Sequence, residues 1–211
     1  TVDRKEGNIT VGDAQVTLVD LPGTYSLTAY SMEELVARRE LAAGNVQAVI
    51  DVVDASALER NMLLTVQMLE MGAPVVLCCN MMDEARAAGI HIDMERLTSL
   101  MGIPVLPMVA RTGEGLNEAM KVAIQLAKEG KRNALRISYG SDIDPVLLDM
   151  EKRIEDAGLL ASKYMPHWVA LKMLEGDSEI LSEVRAANAE LAEELDAMRK
   201  KAMSHVRSTL N

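Results

Sequence analysis

The sequence predicts an α/β domain with a mostly parallel sheet, followed by a small all-helical domain. Three observations carry this. Continuous β-branched and apolar runs of strand length recur along the first 133 residues. Segments with helical spacing separate them, which is the pattern of strands joined by crossover helices. From about residue 141 the strand-like runs stop and only helical patterns remain.

Residues 8–20 read as two strands joined by Gly12-Asp13, a two-residue hairpin turn. The second runs into Asp20-Leu21-Pro22-Gly23. Residues 31–43 have helical character and stop at Gly44. Val46–Val53 reads as a β-branched run, as a parallel strand covered on both faces would be. Leu58–Met71 is a helix ending at Gly72, and Pro74–Cys79 is a fully apolar strand ending at Asn80. Asp93 is placed to cap a short helix over 93–100. Pro104–Met108 is a short strand, and Leu116–Lys128 a helix closed by Gly130. Residues 130–142 form the linker. Segments 143–156, 166–175 and 178–208 are helical, so the domains are expected at 1–133 and 141–211.

Composition narrows the function. Of 211 residues 49% are hydrophobic, which argues for a packed core rather than disorder. Phe is absent, so the 15 Met residues must help to fill that core. The formal net charge of −10 disfavours a nucleic-acid partner, which wants a basic face. It permits a small anion held by backbone amides. The only cysteines, Cys78 and Cys79, are adjacent on a strand and point to opposite faces, so a reduced setting is expected. No run of 18 apolar residues is present to span a membrane. The chain starts at Thr1 and reads as a piece of something longer.

Three short signals follow successive strands, where an open α/β sheet builds its ligand crevice. In Asp20-Leu21-Pro22-Gly23, an aspartate can hold Mg²⁺ through water and Gly23 can bring its amide to a terminal phosphate. The same four residues also suit an ordinary turn. In Asn80-Met81-Met82-Asp83, the Asp83 carboxylate can accept two hydrogen bonds from guanine, which adenine cannot give, while Asn80 braces the loop. The pair also suits a helix N-cap. In Val109-Ala110-Arg111-Thr112-Gly113, the Ala110 amide can donate to the guanine 6-oxo group, or the segment is a plain strand–helix loop. Their shared register and order favour one guanine-nucleotide site.

TVDRKEG, VTLVDLPGTYSL, VVDASALERN, NMMDEA and HWVALKMLEGD together closely resemble the cytoplasmic part of the bacterial ferrous-iron transporter B family. The resemblance covers nearly the whole chain. It implies a P-loop GTPase-like domain and a helical domain that couples it to a membrane-embedded iron permease. It also implies GTP, GDP and Mg²⁺ as ligands, and a place on the cytoplasmic face of the bacterial inner membrane. The implied nucleotide-binding residues are Asp20, Gly23, Asn80, Met81, Asp83, Val109, Ala110 and Arg111, with Thr1 and Asp20 at the metal. His91, His167 and His205 match no role. Thr24 stands where Ras-like enzymes carry a water-orienting glutamine, which implies slow hydrolysis. Met81 replaces a lysine common in relatives, which implies modest base affinity.

No G-x-x-x-x-G-K-[ST] run occurs in the chain. By the resemblance, the strand and loop carrying it would precede Thr1 and sit centrally, between the strands ending at Asp20 and Val53. The expectation is therefore a truncated domain that binds nucleotide very weakly by itself. Its open strand edges would be closed by rearrangement, by a preceding segment or by another chain, so self-association is one outcome. A non-enzymatic interaction fragment and a soluble GTPase of ribosome or tRNA maturation are the alternatives. The acidic balance argues against the second.

Overall fold

The computed structural model describes residues 5–28, 31–130 and 135–209, the side chains only as far as 206. Thr1 lies outside the described residues. The chain divides into two compact units, and the division falls between Leu135 and Arg136.

The first unit opens with an antiparallel hairpin, β1 (Lys5–Val11) and β2 (Ala14–Asp20). Val11 pairs with Ala14, so Gly12-Asp13 is the whole turn, and Gly12 takes the positive φ of 58° that such a turn demands. Helix α1 (Met32–Ala42) starts at Ser31 with a reciprocal capping box, in which Ser31 Oγ accepts from Glu34 N and the Glu34 carboxylate accepts from Ser31 N. Next come β3 (Val49–Asp54), a single 3₁₀ turn at Ala55–Ala57 and α2 (Leu58–Glu70). Strand β4 (Val75–Asn80) leads into α3 (Met82–Ala87) and α4 (Met94–Met101). Asp93 caps α4, accepting from Arg96 N at 2.9 Å. Strand β5 (Val105–Pro107) and α5 (Leu116–Glu129) complete the unit.

The strands form two sheets, β1-β2 and a parallel β3-β4-β5. Strand β4 is central in the second and its Val75–Cys79 are all buried, which is why its run is wholly apolar. On one face Val76 and Cys78 pack with Met108, Ala119, Ala123 and Leu126, so β5 and α5 seal that side. The outer edge of β3 has no strand partner among the described residues. Val52 on that strand is 53% exposed, and the hairpin is open on both faces, with Leu18 also exposed.

The second unit is four helices, α6 (Asp144–Asp156), α7 (Pro166–Glu175), α8 (Ser178–Ala187) and α9 (Ala189–Thr209). Helix α7 is buried on every side from His167 to Leu174, which fits its continuous apolar reading. Trp168 is fully buried and stacks on Tyr164 at 4.6 Å. The sequence reading of 178–208 as a single segment is corrected here. Asn188 leaves the helix with φ −155° and ψ 97°, and its Oδ1 accepts from Leu191 N to start α9. Asparagine competes for backbone bonds in this way, so it caps more readily than it continues a helix.

Candidate functional site

The parallel sheet delivers its loops at one end. In register, Asp54 closing β3 lies beside Asn80 closing β4. The chain then turns sharply at Met81, whose φ of 62° and ψ of 32° are left-handed, before α3 begins. A non-glycine residue pays for that conformation in steric strain of about 1–2 kcal/mol. Strained positions of this kind cluster where a loop must present its groups in a fixed direction.

Strand β5 holds the next loop against this turn. Met108 N donates to Cys79 O at 2.8 Å, and Met82 N donates to Met108 O at 3.3 Å. Asn80 Oδ1 accepts from Ala110 N at 2.9 Å, so the two loop segments are tied by a side chain as well as by backbone. Residues 109–115 fold back on themselves. Val109 N donates to Glu114 O, and Thr112 Oγ1 donates to Val109 O. Gly115 closes this turn with φ 83°, and a Cβ there would lie 2.5 Å from Pro107 O, so no larger residue fits.

Asp83 stands on the first turn of α3, exposed, with Oδ2 accepting from Arg111 Nη2 at 3.0 Å. The Arg111 hydrogen bond holds the Asp83 carboxyl below its ordinary value. Beside Asn80, Asp54 Oδ1 accepts from both the amide and the hydroxyl of Ser56, and the hydroxyl bond is the main cause of its lowered pKa. The cluster thus presents ionised carboxylates, an amide side chain and a strained turn at one sheet end. Such groups can read the edge of a planar hydrogen-bonding ligand.

Asp20 and Gly23 lie on the hairpin's second strand and in the segment that follows it. Asp20 is the last residue of β2, paired with Lys5. A Cβ at Gly23 would meet no atom within 4 Å. No hydrogen bond or ion pair among the described residues joins either to the Asn80–Asp83 and Val109–Arg111 cluster. The Ala110 amide, read from sequence as a donor to a base, here donates to Asn80, so a bound base would share it or take it over. Asp54, Ser56, Glu34 and Gln67 were not singled out by the sequence reading. Of these only Glu34 had a local signal, the Ser31-Met32-Glu33-Glu34 spacing of a capping box.

Away from this cluster, the cysteines lie in the core and two of the histidines lie beside carboxylates. Cys78 and Cys79 are free, and burial, the largest cause, pushes each thiol up to about 11. His167 Nδ1 lies 3.1 Å from Glu151 Oε2, and His205 Nε2 lies 3.9 Å from Asp142. Among the described residues no group of three or more metal-ligating side chains comes together, and no helix is long and apolar enough to cross a membrane.

Two family profiles match the chain. One is described as Ferrous iron transport protein B and matches residues 1–123; the other, described as FeoB cytosolic helical domain, matches 139–211. The Fe(2+) transporter FeoB of Escherichia coli K12 is 41% identical over 209 residues, covering 93% of this chain and 25% of the relative. A Porphyromonas gingivalis fusion of Fe(2+) transport protein A and Fe(2+) transporter FeoB is 41% identical over 184 residues, covering 85% of this chain and 22% of that protein. The chain therefore spans about a quarter of the length of these relatives. Among solved structures, the cytosolic domain of the T. maritima FeoB iron transporter in its GMPPNP form aligns with TM-score 0.82 at 31% identity, over 97% of this chain and 85% of that one. NFeoB from S. thermophilus bound to GDP.AlF4- and K+ aligns with TM-score 0.84 at 27% identity, over 98% and 79%.

Proposed function

Because the chain belongs to the ferrous iron transport protein B family, we propose that it is the guanine-nucleotide switch of an Fe(II) transporter. On this reading residues 1–133 bind and hydrolyse GTP. Residues 141–211 pass the nucleotide state to a membrane permease domain of the same parent protein, at the cytoplasmic face of the membrane. Relatives solved with GMPPNP or with GDP and aluminium fluoride support the nucleotide class.

One observation carries the site assignment. The Asn80–Ala110 bond sets the Asp83 carboxylate and the Val109–Arg111 segment side by side at one sheet end. In the proposed complex Asp83 accepts the N1-H and 2-amino protons of guanine, Asn80 braces the loop and Ala110 faces the 6-oxo group. Met81, Val109 and Arg111 border the base. Gly23 brings its amide to the γ-phosphate, where the open space above its Cα leaves room for approach.

The residues also fit Mg²⁺, which favours one or two carboxylates plus phosphates and water over an all-protein cage. Asp20 is an exposed carboxylate of that kind, and Thr1 is its proposed companion. When bound, the ion offsets negative charge on the phosphates. The protein residues orient the nucleotide and select its base. Since no Walker-type phosphate loop occurs in these 211 residues, the chain's own affinity is expected to be weak.

The test is a titration of a fluorescent guanine nucleotide with Mg²⁺ against its adenine counterpart, on this chain and on a form extended upstream by ~40 residues, the length of a strand–loop–helix unit. Guanine preference in the extended form, with weaker binding by this chain, is the expected result. Asp83→Asn should shift preference from GTP toward xanthosine triphosphate. Equal binding of both purines by the extended form would end the guanine reading.

A further inference from the structure

The segment after Gly23 is fastened at its far end by groups on two helices. Leu27 is fully buried, and its amide donates to Gln67 Oε1 on α2 at 2.6 Å across 40 residues of sequence. Gln67 is itself only 7% exposed. On the other side, the Glu34 carboxylate of α1 accepts from Ser26 Oγ, from Thr28 Oγ1 at 3.3 Å and from Ser31 N at 3.2 Å. Thr24 Oγ1 donates to Ser26 O at 2.9 Å, closing a small turn between Gly23 and the buried leucine. Helix α2 is also pinned to the sheet, because Thr65 Oγ1 donates to the buried Asp51 Oδ2 of β3 at 2.5 Å.

We propose that Gln67, assisted by Glu34, is a positioning residue for the Gly23 loop: it fixes the loop's distal end at Ser26 and Leu27, so that movement on ligand binding is confined to residues 21–25. The physical basis is the cost of leaving a buried amide unpaired. The Leu27 N–H cannot leave Gln67 without losing its bond in a water-poor pocket, and the Leu27 side chain cannot leave without exposing a full leucine. Residues 21–25 have no such tie to α1 or the buried α2 site: Gly23 has open space around it, and Tyr25 is 67% exposed with the Arg60 guanidinium 5.8 Å from its ring. The loop therefore has a rigid end beside α2 and a free end beside Asp20. The role rests on the nucleotide reading above, whereas the anchor itself does not.

Amide hydrogen exchange on the 211-residue chain tests both. Gln67→Met keeps the size and removes the acceptor, and should speed exchange at Leu27 at least about tenfold, while Val76–Cys79 keep wild-type protection. Gln67→Glu keeps an acceptor and should restore slow exchange, a rescue that loss of packing alone would not give. Glu34→Ala, a milder lesion, should speed exchange at 26–28 by a smaller factor and serves if Gln67→Met does not fold. Unchanged exchange at Leu27 in a folded Gln67→Met or at 26–28 in Glu34→Ala overturns the anchor, as does failure of Gln67→Glu to rescue. Millimolar GTP with Mg²⁺ should then alter exchange in wild type at 21–25 and leave Leu27 slow. If Leu27 responds equally, the positioning role is wrong. If wild type shows no response to nucleotide anywhere while Gln67→Met still loosens Leu27, the nucleotide reading has failed and the anchor stands without that role.

Discussion

Two carboxylates show how partners decide what a residue does. Asp83 is exposed and already has a cation, Arg111, on the oxygen that would accept from a base. A ligand reading Asp83 must compete with that guanidinium. Arg111→Ala is therefore expected to tighten guanine nucleotide by roughly two- to fivefold, the range of a surface ion pair. The difference should shrink as salt screens the pair, which titrations at low and high ionic strength would reveal. Weaker binding in the variant would mean that Arg111 touches the nucleotide itself. Asp51 is the opposite case. It is buried beneath α2, and burial, outweighing the bond from Thr65, raises its pKa. The folded state thus prefers the neutral acid. That contribution to stability is present below the ordinary aspartate value of about 3.9 and is lost as pH rises through the higher folded value. Asp51→Asn keeps an acceptor for Thr65 and carries no charge. It should melt higher than wild type at pH 7, and the gap should close as pH falls toward about 4. A variant less stable than wild type at pH 7 would show that the Asp51 charge has a partner that stabilises it.

Among the elements, those written by a local rule were legible in sequence. The apolar run of β4, the Gly12-Asp13 turn, the Asp93 cap and the Gly130 stop each follow from a few neighbouring residues, and each is found where the pattern put it. The break at Asn188 was hidden, because alanine and glutamate on both sides favour helix and asparagine is a weak interrupter. Its capping bond to Leu191 is worth about 1 kcal/mol. Asn188→Ala should lower the melting point of the helical unit by about 4–8 °C, and Asn188→Asp, which keeps the cap, should not. The six-residue α3 was concealed inside a motif read for chemistry. The site was legible as a set of loops but not as a bonding pattern. Spacing places Asn80 and Ala110 after strands, yet only the fold shows that they bond to each other. Gln67 meets Leu27 across 40 residues, and no periodicity encodes such a pair. Gly115 was passed over for the same reason, since its need for glycine comes from Pro107 O rather than from its neighbours. Gly115→Ala should cost more than the 1–2 kcal/mol of a left-handed residue alone, and calorimetry would measure it. An unchanged melting point would show that residues 109–115 relax freely.

At the scale of the whole chain, each unit carries a reporter the other lacks. Trp168 is the only tryptophan, and it is fully buried in the helical unit. Cys78 and Cys79 are the only thiols, and both are fully buried in the first unit, where a pKa of about 11 keeps them protonated and unreactive at neutral pH. Urea unfolding followed by Trp168 fluorescence and by thiol labelling therefore reads the two units separately in one sample. Non-coincident transitions are expected, because each unit has its own core. Acid should widen the difference. In the helical unit, burial pushes the Glu151 carboxyl up, but the hydrogen bonds from Arg136 and His167 outweigh it and hold the pKa down. A depressed folded pKa gives stability that is present above the ordinary glutamate value of about 4.3 and is lost as pH falls through the lower folded value. The Trp168 midpoint should thus drop as pH falls below about 4. Glu151→Gln should lower that midpoint at pH 7 and flatten its acid dependence, leaving the thiol transition where it was. If both probes instead move together in wild type and in Glu151→Gln, the two units unfold as one and the division at Leu135–Arg136 has no thermodynamic meaning.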